Sequence, residues 1–150
     1  MDTGIARYII HIADIHIGNG SRSAEYRKVF DNLFAVIDST GVVAESIVVI
    51  AGDIFHHKVK YSGEDIDDFT YLITGLLARA LPCVIIPGNH DVNLNNTSTT
   101  DLIGPIVKLY PQGIYYWRES GWYTLRGISF YHASVYDGAF AEVCQLAHQK

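Results

Sequence analysis

Apolar positions along the chain switch between a strand-like and a helix-like period. Tyr8 to Ala13 is a continuous β-branched and aromatic run, the pattern of a strand covered on both faces, and it ends at the polar pair Asp14 and His16. From Ser23 to Asp38 the apolar positions Tyr26, Val29, Phe30, Leu33, Phe34 and Ile37 follow helical spacing, with Ser23 as the expected N-cap and Gly41 just past the end. Ser46 to Ala51 repeats the buried-strand pattern and breaks at Gly52 and Asp53. A second helix is expected over Ser62 to Arg79, opened by a capping box of Ser62 with Asp65 and striped by Ile66, Phe69, Ile73 and Leu77. Pro82 to Ile86 predicts a third strand, ending in the turn Pro87, Gly88, Asn89, His90, Asp91. The alternation implies a mainly parallel sheet with right-handed crossovers, which sends all three polar tips to the same carboxyl edge, where open α/β sheets bind ligands.

Beyond a polar stretch over Asn93 to Thr100 and an expected helix over Asp101 to Tyr110, the pattern changes to short aromatic segments. Ile114 to Trp117, Trp122 to Leu125 and Ile128 to Tyr131 predict meander strands turning at Gly121 and Gly127, with their aromatics in the core and on the sheet surface. Asp137 to Lys150 carries Phe140, Val143, Cys144 and Ala147 at helical spacing. Internal repeats are absent from the sequence.

Composition narrows the class. A chain of 150 residues, 49% hydrophobic, is of single-domain size with a real core. No apolar run reaches the ~20 residues of a membrane span and residues 1–7 lack the order of a signal peptide, so a cytoplasmic or nuclear setting is expected. Cys83 and Cys144, far apart and without CxxC spacing, predict neither a disulfide framework nor a zinc ribbon. Eleven Lys and Arg against sixteen Asp and Glu, a formal charge of -5, argue against a generally basic nucleic-acid coat. Clustered metal ligands would nevertheless inflate the acidic count, and bound divalent ions would reverse the local field.

The chemistry sits in the three turns. They gather Asp14, His16, Asp53, Asn89 and His90, with His56 three residues after Asp53. This mixture of oxygen and imidazole donors suits Mn, Fe or Zn better than magnesium and involves no thiolate. An Asp in the middle turn could bridge two ions roughly 3.5 to 4 Å apart, the separation that clamps phosphoryl groups for in-line displacement. Hydrolysis of a phosphate ester is the reaction this suggests. His11 and His148 are expected to be structural or solvent-facing, His57 to be an exposed loop residue, and His132 to end a strand with a minor prospect of approaching the site.

Asp14-Ile15-His16, Gly52-Asp53 and Gly88-Asn89-His90-Asp91, in this order and at strand ends, resemble the first three motifs of the calcineurin-like metallophosphoesterase superfamily. Within it, Ala13-Asp14-Ile15-His16-Ile17-Gly18 and Gly52-Asp53-Ile54-Phe55-His56 resemble the SbcD-type nucleases of DNA double-strand-break repair, and the resemblance covers about residues 8–110. It implies an α/β fold, the front half of a metallophosphoesterase-type β-sandwich flanked by helices. It also implies two divalent ions, most typically Mn2+. Asp14, His16 and Asp53 would hold the first, and Asp53 and Asn89 would begin the shell of the second. His90 would stabilise the transition state or protonate the leaving oxygen, His56 would position the phosphate, and water rather than a side chain would be the nucleophile. Lys58, Lys60 and Arg22 follow the motifs and are candidates for contact with a DNA backbone.

The resemblance further implies exonuclease and endonuclease activity on DNA, an SbcC-type SMC-like ATPase as partner, and a homodimer through the early helices. The family's further metal-binding His and its Gly-His-x-His motif have no counterpart here, so the chain is expected to be the N-terminal part, residues 1–150, of a single longer nuclease domain. Two alternatives stand beside this reading: a phosphoesterase acting on small substrates, and a non-catalytic relic that binds DNA or protein.

Overall fold

The computed structural model of the protein describes residues 4–18, 22–58, 60–92 and 101–137. Its centre is a four-stranded, all-parallel sheet in the order β1 (Tyr8–Ile12), β2 (Ser46–Ala51), β3 (Cys83–Ile86) and β4 (Ile114–Tyr116). Two helices, α1 (Ser23–Ser39) and α2 (Gly63–Leu77), make the crossovers, and a short helix α3 (Ile103–Val107) leads into β4. An antiparallel hairpin, β5 (Gly121–Leu125) and β6 (Ile128–His132), covers the other face. The result is an α/β arrangement of a parallel sheet with flanking helices, as the metallophosphoesterase resemblance implies.

The period-two pattern of the central strands explains the layers. Val48, Ile50, Cys83 and Ile85 bury against Phe30, Phe34 and Ile37 of α1 and Phe69, Leu72, Ile73 and Leu76 of α2. Alternate residues Ile47 and Val84 face the hairpin side, where they meet Ala6, Trp117 and Leu125. Trp117 stacks on Tyr123 at 4.5 Å, whereas Trp122 and Tyr115 stay exposed. The hairpin turns through Arg126 and Gly127, both at positive φ (46° and 76°), the combination a two-residue loop needs to match strand twist. The Arg126 guanidinium donates to the carbonyls of Gly4, Ala44 and Ser46, tying that turn to the sheet.

Four expectations change. The first strand is not covered on both faces: it is an edge strand with Tyr8, Ile9 and His11 exposed, because a continuous apolar run looks the same in a central and an edge strand. The segment from Ile114 is not a meander strand but the fourth parallel strand, paired with β3 from Cys83 to Ile85. Ser23 does not cap α1; the N-cap is Arg22, without a side-chain bond, and the Ser23 hydroxyl donates to Asp68 at 2.7 Å. Asp68 is buried and also accepts from Arg27 Nε at 3.0 Å, so a bond between the two helices displaced the local cap. The Ser62 and Asp65 capping box of α2 is present in both directions. The helix expected over 101–110 is shorter, and most of the apolar pattern over 137–150, with Cys144 and His148, lies outside the described residues. No helix among the described residues is long and apolar enough to cross a membrane.

Candidate metal centre

Beyond the carboxyl ends of β1 and β2 the backbones stay zipped. Asp14 N–H donates to Gly52 O at 3.3 Å, His16 N–H to Asp53 O at 3.0 Å, Ile17 N–H to Ile54 O at 2.8 Å, and His56 N–H to Ile17 O at 2.8 Å. Ile17, Ile54 and Phe55 are completely buried and root these two turns in the core. The Tyr26 hydroxyl of α1 donates to the His16 carbonyl at 2.6 Å. Sequence periodicity marks Tyr26 only as a stripe residue, so this brace on the first turn was missed.

The turns after β2 and β3 touch backbone to backbone. A Cβ on Gly52 would lie 2.7 Å from Gly88 Cα, and one on Gly88 would lie 2.3 Å from Asp53 N, so both positions require glycine. Asp53 Oδ1 accepts from His90 N–H at 2.9 Å, which fixes the orientation of its carboxylate. Asp91, quoted in the third motif but given no role there, is buried and accepts from the Ile54, Phe55 and Gly88 amides, each at 2.9 Å.

Three residues at this edge share an unusual backbone. Asp14, His16 and Asp53 adopt φ of 54°, 53° and 51°, the left-handed region, which costs an L-residue about 1–2 kcal/mol. Their ligand atoms lie within 4.8 Å of one another. Strained residues persist where the surroundings over-determine them, and they concentrate at functional sites. The His90 ring stands 4.9 Å from His16 and 6.1 Å from His56, centroid to centroid, and His56 stands 5.6 Å from His16. His90 Nδ1 meets the His56 carbonyl at 3.0 Å. Burial lowers the His56 imidazole below the usual histidine range, and the neighbouring His57, His16 and His90 lower it further.

The residues fit a divalent cation. One nitrogen of His16, Nε2, is 4.0 Å from Asp14 Oδ1, while Nδ1 of His16 and Nδ1 of His56 are buried without a hydrogen-bond partner among the described residues. An unsatisfied buried polar atom costs about 1–3 kcal/mol unless something else engages the ring. Two carboxylates and an imidazole offer hard and borderline donors with no thiolate, the set that suits first-row divalent ions.

The other predicted site residues lie as follows. Asn89 is exposed in the third turn between Gly88 and His90. Arg22 lines a depression of about 320 Å3 beside Asp14, His16 and Tyr26, its Nε 3.6 Å from Glu25. Lys58 and Lys60 are exposed on the segment leaving His56, and His57 is an exposed loop residue with its ring 4.8 Å from His56. His132 stands apart from the three-turn cluster: it is buried at the end of β6 and lines, with His11, Val49, Ile86 and Trp117, a groove on the hairpin side.

Comparison with known proteins agrees with the geometry. The sequence profile described as calcineurin-like phosphoesterase matches residues 7–143. An uncharacterized protein of Acanthamoeba polyphaga mimivirus is 37% identical over 134 residues, which cover 87% of this chain. The chain spans about a tenth of that relative's length, the match covering 10% of it.

Proposed function

Because the chain belongs to the calcineurin-like phosphoesterase family, whose shared chemistry is metal-dependent phosphoester hydrolysis, we propose that it carries the first three motifs of a nuclease site that cleaves DNA phosphodiesters. The observation that carries the proposal is the convergence of Asp14, His16 and Asp53 at one sheet edge, beside the His90 and His56 rings. In this reading Asp14, His16 and Asp53 hold one ion, Asp53 and Asn89 begin the shell of a second, and manganese is the metal. When bound, such ions supply Lewis acidity and lower the pKa of water toward ~7.

The chain's own residues bind, orient and move protons. A carbonyl only accepts, so His90 Nδ1, facing the His56 carbonyl, carries the proton and leaves Nε2 to meet an oxygen of the scissile phosphate. With Nδ1 already protonated, Nε2 carries a proton only in the imidazolium, and in that form the ring would stabilise charge on that oxygen or deliver the Nε2 proton to the leaving group. His56, at the other side of the cluster, holds the phosphate in place. Lys58, Lys60 and Arg22 would take neighbouring backbone phosphates. What favours DNA over a small ester is the match of the first two motifs, His56 included, to SbcD-type nucleases, together with the exposed lysines that follow it. The same resemblance extends the proposal to an SbcC-type SMC-like ATPase partner and a second copy of the chain, with double-strand-break repair in the cytoplasm or nucleus as the setting.

The test is Mn2+-dependent cleavage of end-labelled duplex and single-stranded DNA by the purified protein, with His90→Ala and Asp53→Asn as controls. Cleavage lost in both variants would show that this chain assembles a working site, whereas no cleavage above the variants would mean that the nuclease needs the downstream histidine motifs that have no counterpart here. Hydrolysis of a chromogenic phosphoester without any cleavage of DNA would move the reading to a small-substrate phosphoesterase. Binding of DNA that ignores metal and survives Asp53→Asn would move it to a non-catalytic module.

A further inference from the structure

We infer that Asp91 is a positioning residue of this site: its carboxylate clamps the second and third turns together and thereby holds Asp53 and His90 in the arrangement that binds metal and substrate. For its functional half the inference rests on the metal reading above.

The clamp is visible in what Asp91 touches. Oδ1 accepts from the two amides that directly follow Asp53, those of Ile54 and Phe55. Oδ2 accepts from the Gly88 amide, which directly precedes Asn89, and the Asp91 amide donates back to the Gly88 carbonyl at 3.2 Å. One side chain therefore fixes the backbone on the chain positions adjoining Asp53 and Asn89, and Asp91 itself follows His90. The second turn has a conformational reason to need it. Asp53 sits at φ 51°, and a residue in that region stays there only if its neighbours are held. The Ile54 and Phe55 amides are the nearest handles on the C-terminal side. If they are released, Asp53 is free to relax, and its Oδ1 leaves the His90 amide that it accepts at 2.9 Å.

A purely structural demand for packing would not select this residue. Asp91 is 2% exposed, and among the described residues its carboxylate accepts from backbone amides rather than from a cation. Burying a carboxylate is costly, and an apolar side chain would fill the space at less cost. Only a carboxylate, with lone pairs on two oxygens, accepts from three amides that belong to two separate turns. Asparagine keeps one accepting oxygen and turns an amino group toward the remaining amide, so Asp91→Asn preserves volume and breaks the link between turns. Asp68 provides the matched control. It is also 2% exposed and accepts from Ser23 and Arg27, joining α1 to α2 rather than the second turn to the third.

The experiment compares wild type, Asp91→Asn and Asp68→Asn by Mn2+ titration calorimetry, thermal melting, and amide chemical shifts and hydrogen exchange at Ile54, Phe55, Gly88 and His90. Supporting groups behind metal ligands typically change affinity by about 10- to 100-fold when lost. Asp91→Asn is expected to lower Mn2+ affinity by that factor in folded protein and to deprotect the His90 amide. Asp68→Asn is expected to lower the melting temperature and leave Mn2+ affinity within about twofold of wild type. Unchanged Mn2+ affinity in Asp91→Asn, or an equal loss in Asp68→Asn, overturns the inference. If wild type itself binds no Mn2+, the metal reading fails and the clamp is judged on the metal-free protein: a His90 amide unaltered by Asp91→Asn refutes it, and one that loses protection upholds it.

Discussion

Four glycines allow the close approach of the second and third turns to be tested with one substitution, alanine, in settings that differ by a single factor each. At Gly63, in the first turn of α2, an added Cβ meets nothing within 4 Å among the described residues and φ is not positive, so alanine should leave stability unchanged or raise it by up to about 1 kcal/mol. At Gly41, just past α1, the Cβ again meets nothing among the described residues but φ is +69°, so alanine isolates the left-handed strain, about 1–2 kcal/mol. At Gly88 φ is not positive, but the Cβ would sit 2.2 Å from Asp53 Oδ1 and 2.3 Å from Asp53 N, against the 3.4 Å at which ordinary contact begins. Backbone cannot swing aside, so the turns must part by about 1 Å, at an overpacking cost of about 1–3 kcal/mol. Gly52 combines φ +81° with a Cβ 2.7 Å from Gly88 Cα, and should be the worst of the four. Urea denaturation without metal reads stability, and Mn2+ titration reads the site. Gly88→Ala and Gly52→Ala should weaken Mn2+ binding by about 10-fold or more, in the range expected for lost support of a ligand, while Gly41→Ala should leave it within about twofold. Mn2+ affinity intact in Gly88→Ala, or Gly41→Ala damaging binding as much as Gly88→Ala, would refute the argument that contact between these turns shapes the site.

Further outcomes follow from the rest of the structure. The buried His132 imidazole is held below the usual histidine range, chiefly by burial, with Asp137 opposing; below about pH 6.5 the unfolded chain therefore takes up a proton that the folded chain refuses, and stability falls with pH until the lowered folded pKa is reached. His132→Phe should flatten the stability profile over pH 5 to 7 by at most about 1.4 kcal/mol per unit, and parallel wild-type and variant curves would count against this. Burial pushes the Cys83 thiol up to about 12, so at pH 8 only about one thiol in 10^4 is ionised; in a Cys144→Ser background a disulfide reagent should react with Cys83 only after unfolding. A Cβ on Gly75 would lie 2.2 Å from the Phe34 ring, so Gly75→Ala should destabilise despite a helix-propensity gain of about 1 kcal/mol, and Phe34→Leu should partly rescue it in a double-mutant cycle.

The features legible in the sequence were those encoded locally. Ser46 to Ala51 was bounded correctly because turn residues flank an uninterrupted apolar run, and Ser62 with Asp65 announced the start of α2 because both halves of a capping box lie within one turn. The candidate ligands were legible for the same reason: each sits where an apolar run breaks, and parallel topology carries those breaks to one edge. What could not be read depended on distant partners. Periodicity cannot tell whether Tyr8 to Ile12 has a neighbour on one side or two, nor that Ile114 would join β3 rather than the hairpin. Ser23 is an ordinary cap by residue type, and only the arrival of Asp68, 45 residues away, redirects its hydroxyl. The bonding roles of Tyr26 and Asp91 were not legible because one looked like a stripe residue and the other like a turn former.

The turns also explain how short loops can hold candidate ligands in a left-handed backbone conformation. In Asp53-Ile54-Phe55-His56 two polar residues flank two apolar ones that are at most 1% exposed, and Ile17 follows His16 at 1%. Each fully buried side chain of this size contributes about 1.5–3 kcal/mol, comparable to or larger than the about 1–2 kcal/mol of left-handed strain at its neighbour. The hydrophobic residues thus fix the path of the chain, and the ligands take whatever orientation that path leaves them. Backbone bonds from Asp14 to Gly52 and from His16 to Asp53 then copy the path of one turn onto the next, and the amide of His90 does the same for the third through the Asp53 carboxylate. Asp14 can remain largely exposed, with 76% of its side chain accessible, because its position is determined by buried neighbours rather than by contacts of its own. Charge that would repel charge in the free protein is in this way kept together by groups that carry none.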